Sequence, residues 1–352
     1  MSSLDFRPIR DSIARMRSSA CIVGTLVVST CLLPQGEALA WNDFGHMEVA
    51  AVAYKKLKPA SKKRAIELLK RNPSYAYWIV GASATNRDRV TFMRAATWPD
   101  AIKRDPKHDC KQADDNETLP TAAQNIGYTD KLCHKYWHYV NLPFSPDGTP
   151  VVAASTPNAV TQIAAFRTTL SSADSDDDLK SYDLTWLLHL VGDVHQPLHC
   201  VARFDKSEPQ GDQGGNTVKI TGASMPPICD DAEYCPYGPA TELHAFYDVV
   251  TGESYCPAEV DTAVRALPAA DVKKAANLDA SDWVQEGADL AQSTVYVSPV
   301  GVGMGPFTVD TTYQNAALAL GKQQIALAGL RLANFLEDCF AKEAAAKKEK
   351  PK

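Results

Sequence analysis

The chain lacks several things that would place it in a common class. Nowhere do two cysteines stand in a C-x-x-C pair, which argues against a cysteine-built structural zinc site. No glycine-rich phosphate loop follows a strand and no βαβ alternation is visible, which argues against nucleotide-cofactor folds. There is no internal repeat. Beyond the first forty residues no stretch is apolar enough to cross a bilayer. An excess of basic charge is also missing. Without those forty residues the chain holds 32 basic and 39 acidic side chains. A protein that gripped polyanions by overall surface charge would lean the other way. A phosphate-bearing substrate would need bound metal or a few local cations.

The first forty residues have a different character. Arg7, Arg10, Arg15 and Arg17 precede the apolar run from Ala20 to Leu33. Pro34 to Glu37 breaks that run, and Ala38-Leu39-Ala40 is a small-x-small site. This is the layout of a secretory signal peptide, too short in its apolar part for a spanning helix. Cleavage after Ala40 is expected to release a soluble, secreted or periplasmic protein that begins at Trp41. An uncleaved anchor is the alternative. Seven of the nine cysteines lie beyond the cut. In an exported protein disulfides are their expected use. Cys110 and Cys133 flank a polar stretch they are placed to close, and Cys229 and Cys235 a short turn. An odd number leaves at least one thiol free or paired outside the chain.

Helical periodicity is read over 45–57, 61–71, 89–103 with a break near Pro99, 153–172, 183–195, 239–250, 278–293 and 312–343. Residues 216–221 alternate as a short strand beside a Gly- and Asp-rich loop at 206–215. The expected fold is mainly α: one domain over 41–340, one small β-hairpin, and a basic, disordered tail over 341–352.

Two ligand pairs stand out. His189-Leu-Val-Gly-Asp193 puts imidazole and carboxylate on one face of an apolar helix. His244-Ala-Phe-Tyr-Asp248 repeats the spacing. Polar groups facing an apolar core need partners, and one metal ion satisfies both. Pro197 ends the first helix, so His199 is free to turn toward a neighbouring position. Asp100 stands at a helix break after Trp98-Pro99, and His138 lies in the aromatic stretch Trp137-His138-Tyr139. A single buried His or Asp is more often satisfied by hydrogen bonds. Cleavage after Ala40 would add a free amine, itself a metal ligand, five residues from His46.

These stretches, with Trp98-Pro-Asp100-Ala-Ile-Lys103, Gln196-Pro-Leu-His199 and Gly214-Gly-Asn216, occur in an order that resembles the zinc-dependent type I nucleases. That family comprises single-strand nucleases and 3′-nucleotidases of fungi, plants and bacteria, and zinc-dependent phospholipase C is a structural cousin. The resemblance runs from Trp41 to about Asp248. It implies a helical domain of that type, a monomer, holding three Zn2+. The first ion is implied at Asp100, His138, His189 and Asp193, and the second at His199, His244 and Asp248. The third falls to the Trp41 amine and carbonyl, His46 and a bridging Asp193. The implied reaction is hydrolysis of single-stranded DNA or RNA by metal-activated water to 5′-phosphate products, with 3′-nucleotidase activity besides. Asp100 and Lys103 are the implied catalytic residues. Lys103 would also meet the phosphate, and Asn216 a base or phosphate at the cleft rim. Without the resemblance, Lys103 reads as a solvated surface lysine and Asn216 as a hairpin-turn residue.

His108, His134 and His195 match none of these ligands. The first two read as loop residues, and His195 as a capping or exposed residue, with a donor supporting the ligands, four residues before His199, as the alternative. Glu242 and Tyr247 stand where the family usually has Asn and Trp, which puts base preference in doubt. Two rival readings remain. One is a zinc phospholipase C, whose last pair usually ends in Glu. The other is a non-catalytic export protein with structural zinc, whose sites are usually closed and cysteine-rich.

Overall fold

A computed structural model describes residues 41–110, 123–224, 226 and 239–349. The expected leader, Cys229, Cys235 and residues 350–352 lie outside them. The order of main helices is α1 (Asp43–Lys56), α2 (Pro59–Leu69), α3 (Arg87–Ala95), α4 (Trp98–Ala101), α5 (Ala159–Ser171) and α6 (Asp177–Asp193), followed by α7 (Leu243–Asp248), α8 (Pro257–Arg265), α9 (Ala280–Leu290) and α10 (Thr311–Glu349). Strands are few: β1 (Leu142–Phe144), β2 (Val201–Arg203), β3 (Ile220–Thr221) and β4 (Phe307–Thr308). Among the described residues no helix is long and apolar enough to cross a membrane.

Local chemistry sets the helix starts. The Asn42 side chain accepts the Gly45 N–H and caps α1, and Asn158 forms a capping box with Thr161 at α5. Pro59 opens α2 at a position where a missing N–H costs nothing. Asp176 caps α6, and Asp177 and Asp178 add acidic charge to its first turn. Every residue of α6 from Lys180 to Asp193 is buried. A helix with no solvent face runs through the core, so α6 is the axis around which α1, α2, α5 and α10 pack. Trp41, Trp137, Trp186, Phe92 and Phe166 fill the space about it.

Three expectations are corrected. The strands form no hairpin among the described residues. β1 pairs with β2, and β3 with β4, both in parallel. Residues 216–221 therefore supply one edge of a long-range contact, and Lys219 N–H reaches the Met304 carbonyl at 2.7 Å. The tail boundary is also displaced, because α10 continues to Glu349. Glu343 on that last stretch is buried and accepts from Lys180 Nζ at 2.5 Å and from Arg64. These contacts pin helix that the basic composition reads as tail. Finally, His195 is not exposed. It is buried, with Nδ1 on the Val191 carbonyl at 2.7 Å and Nε2 against Arg331 at 3.0 Å.

The Cys110–Cys133 disulfide is present, with its Cα atoms 5.2 Å apart. Cys200, Cys256 and Cys339 carry free thiols.

Candidate metal centre

Five other segments converge at the C-terminal end of α6. His189 and Asp193 lie one turn apart there. His46 comes from the first turn of α1, and its ring stacks on His189 at 3.7 Å between centroids. Asp100 comes from α4, and His138 from a short 3-10 turn over Lys135–His138. His199 sits on the 3-10 turn Pro197–Cys200 after the helix, and His244 and Asp248 on α7.

The eight side chains fall into three groups whose candidate ligand atoms lie within 4.8 Å of one another. They are His46–His189–Asp193, Asp100–His138–His189 and His199–His244–Asp248. Asp193 joins the first two. One of its oxygens is 3.3 Å from His46 Nε2, and the other is 3.0 Å from His138 Nδ1 and 3.3 Å from His189 Nε2.

The protonation pattern is fixed by the backbone. His189 Nδ1 meets the Ala96 carbonyl at 2.7 Å, His199 Nδ1 the His138 carbonyl at 2.8 Å, and His244 Nδ1 the Gly214 carbonyl at 2.7 Å. A carbonyl only accepts, so each Nδ1 must carry the proton. In the neutral rings Nε2 then offers a lone pair. Yet His199 Nε2 and His244 Nε2 are 3.0 Å apart. Two lone pairs at that distance repel unless a cation stands between them. Orienting the metal-binding nitrogen through a bond to the other is how metal sites fix a histidine.

Electrostatics point the same way. Burial, reinforced by neighbouring cations and imidazoles, holds His46, His138 and His199 far below the usual histidine range. Burial likewise brings His189 down to about 4. Neutral imidazole is the ligating form. Burial pushes Asp193 and Asp248 well above the carboxylate range, so each needs a cation to remain ionised. Asp100 differs. Burial alone would raise it, but the Lys103 ammonium and the histidines outweigh that and lower it. Both nitrogens of His46, His138 Nε2 and one Asp193 oxygen are buried without a hydrogen-bond partner. Orphaned donors and acceptors in such number are what an oxygen- and nitrogen-preferring cation would satisfy.

Trp41 is wholly buried, and the Asn42 N–H donates to the Asp248 carbonyl at 3.1 Å. Gly192 separates α6 from His46 and Trp41: a Cβ there would stand 2.8 Å from His46 Nδ1 and 3.8 Å from Trp41 Cδ1. The start of the described chain is thus held beside both α6 and α7. Lys103, read from composition as a surface lysine, has a nearly covered side chain that donates to Asp100 at 2.7 Å. Asn216 is partly exposed on the loop that supplies the Gly214 carbonyl, and its amide donates to the Gln213 carbonyl at 2.6 Å.

Sequence reasoning missed several contributors. Gln196 donates to Asp248 at 2.8 Å while its oxygen accepts the Leu198 N–H at 2.6 Å, so it aims one ligand and caps the turn of another. Its place in Gln196-Pro-Leu-His199 was the available signal. The carbonyls of Ala96, His138 and Gly214 carry none, since every residue has one. Among the unassigned histidines, His134 is buried, accepts a left-handed φ of 48°, bonds Asp130 at 2.6 Å and stacks on Trp137. His108 faces Asp105 at 3.4 Å and the edge of Trp98.

Comparison with known proteins identifies the family. The chain is 24% identical to Endonuclease 3 of Arabidopsis thaliana over 340 residues, covering 90% of this chain and 95% of that protein. It is 25% identical to Endonuclease 2 of the same plant over 322 residues, covering 85% and 90%. The S1/P1 Nuclease family matches residues 41–341, which contain every candidate ligand, and the chain belongs to that family.

Proposed function

We propose that the chain is a zinc-dependent nuclease that hydrolyses phosphodiester bonds of single-stranded DNA and RNA to 5′-phosphate products, and that it also removes 3′-phosphate from nucleotides. One observation carries the reading: three groups of imidazole and carboxylate donors meet in one buried cluster, with three imidazoles oriented by backbone carbonyls. Mixed nitrogen and oxygen donors without cysteine suit catalytic rather than structural zinc.

The proposed ligands are Asp100, His138, His189 and Asp193 for one ion, and His199, His244 and Asp248 for a second. The Trp41 amine and carbonyl, His46 and the bridging Asp193 would hold a third. When bound, zinc supplies Lewis acidity and lowers the pKa of water toward about 7. The chain's own residues divide the remaining work. His46, His189 and Asp193 are wholly covered, whereas Asp100, His138, His199, His244 and Asp248 keep 2–4% of their surface exposed. Substrate therefore approaches from the second set. Lys103, fixed by Asp100, stands at that edge, where its ammonium offsets charge growing on phosphorus oxygens. Gln196 keeps Asp248 turned toward His244. Asn216, two residues from the Gly214 carbonyl that orients His244, would meet a base at the rim. A rim that takes an unstacked base favours single strands over duplex.

Export through a cleaved leader is part of the proposal. The free amine of Trp41 depends on it, the family match opens at that residue, and the Cys110–Cys133 disulfide suits an oxidising compartment.

The test is metal analysis with cleavage of single-stranded DNA by protein recovered after export, with His199→Ala as control. About three zinc ions per chain and at least about 100-fold loss in the variant are expected. Unchanged activity in that variant would refute the assignment. Hydrolysis of phosphatidylcholine in place of DNA would favour the phospholipase reading, and inertness of zinc-replete protein a non-catalytic one.

A further inference from the structure

Away from the metal centre the most distinct surface is basic. From Lys55 to Arg71 the chain carries eight basic residues and one acidic residue, within a protein of formal net charge −6. Several of these charges are spent inside the fold. Arg64 pairs with Asp177 and Glu343, Arg71 with Asp178, and Lys58 with Glu337. Among the described residues no carboxylate lies within ion-pair distance of Lys55, Lys56, Lys62 or Lys70. Lys63 has only the exposed Glu67 at 3.9 Å.

Lys62, Lys63 and Lys70 line a groove of about 390 Å³ between α1, α2 and α3, together with Tyr54 and the carboxylates Glu67 and Asp88. Lys62, Ile66 and Lys70 are spaced four apart, so they follow one stripe along and just past α2. The stripe separates the two ammonium groups by about 12 Å at helical rise, enough to meet more than one phosphate of an extended strand. The Tyr54 ring forms one wall, with Lys62 Nζ 5.0 Å from its centroid.

The groove has a defined relation to the metal centre. The N-terminal end of α1 carries His46, and the C-terminal end carries Tyr54, Lys55 and Lys56. The C-terminal end of α3 leads to the Ala96 carbonyl that orients His189, while its first turn carries Asp88 of the groove. Both helices therefore have the centre at one end and the groove at the other, about 12–15 Å apart.

We infer that this groove is a second binding site, for the sugar–phosphate backbone of the single-stranded polynucleotide beyond the nucleotides at the metals. The inference rests on the proposed function and adds a length dependence to it. Charge complementarity chooses the occupant: three lysines, of which Lys62 and Lys70 have no carboxylate within ion-pair distance among the described residues, line a groove on an acidic protein, and the proposed substrate is a polyanion. Binding there is read by backbone charge and is indifferent to base sequence.

The test is the triple variant Lys62→Gln, Lys63→Gln, Lys70→Gln, which spares every ion pair that ties helices together. On a long single strand, KM at moderate salt is expected to rise about tenfold. The dependence of log KM on log salt should flatten by about 2, at about 0.7 per lost phosphate contact. On a dinucleotide, KM and kcat should equal those of the unaltered protein. Fluorescence anisotropy with a labelled, cleavage-resistant strand reads the same slope without catalysis. Unaltered protein that binds the strand but cleaves nothing would fail the proposed function and leave this site standing. An unchanged salt slope in both measurements would overturn the inference. So would loss of binding to anionic phospholipid vesicles with strand binding intact, since the groove would then serve a lipid surface.

Discussion

Asp193 touches His46 through one carboxylate oxygen at 3.3 Å and His138 through the other at 3.0 Å. One carboxylate thereby touches histidines of two donor groups, whose common member is His189. Replacing it should cost more metal than replacing a ligand of one group. Asp193→Ala is expected to lose about two zinc ions per chain and His199→Ala about one, with activity down by at least about 100-fold in both. Metal analysis of the two variants side by side decides it. Equal losses would remove the bridging role.

Gly192→Ala tests how tightly His46 is held. Alanine favours a helix interior over glycine by about 1 kcal/mol. The added methyl would stand 2.8 Å from His46 Nδ1, however, and the ring cannot retreat because it stacks on His189 at 3.7 Å. Overpacking of this kind costs about 1–3 kcal/mol and should exceed the helical gain. The variant is expected to unfold at lower denaturant concentration and to bind less zinc. A stabilised variant with full metal content would show that His46 has room to move.

A pH dependence is expected from a residue outside the metal centre. Asp183 is wholly buried on α6, and burial pushes its carboxyl up to about 7 against hydrogen bonds from Asn125 and Thr169 that lower it. A folded-state pKa above the unfolded value gives stability that is present below about pH 4 and lost as pH rises through about 7. Asp183→Asn cannot ionise and should lack that loss. Denaturant titrations at pH 5 and pH 8 should show the gap between variant and unaltered protein moving in favour of the variant by about 2.5–3 kcal/mol. A gap independent of pH would mean that Asp183 is ionised in the fold.

The Cys110–Cys133 bond closes a loop with a sequence separation of 23, just ahead of the turn that carries His138. Loop closure over such a span contributes about 3 kcal/mol through the unfolded chain. Cys110→Ser with Cys133→Ser should lower stability by about 2–4 kcal/mol, read as a shift in the denaturation midpoint. Zinc retention should fall with it, because His138 follows the tether by five residues. Unaltered stability after reduction would assign the bond no structural part.

Much of the centre was legible because its chemistry has a period. His189 with Asp193, and His244 with Asp248, repeat at one helical turn, and the fold gathers both pairs with His46, Asp100, His138 and His199. Mainly helical architecture followed from the same periodicity. What escaped depends on distant partners. The run Asn216 to Thr221 has the alternation of a strand, but nothing local announces that its partner is Phe307–Thr308 in parallel. The basic end reads as tail until Arg64 and Lys180, far back in the chain, meet Glu343. His195 sits in an apolar stretch ended by Pro197, and its distant partner, Arg331 on α10, is invisible in the local sequence.

His138 plays a double part: its ring faces Asp193 and His189, while its carbonyl receives the Nδ1 proton of His199. Main chain and side chain of one residue thus tie two donor groups into a single mechanical unit. His244 takes its orientation from the Gly214 carbonyl instead, so engineering that aims to retune the third donor group has its handle there and not at His138.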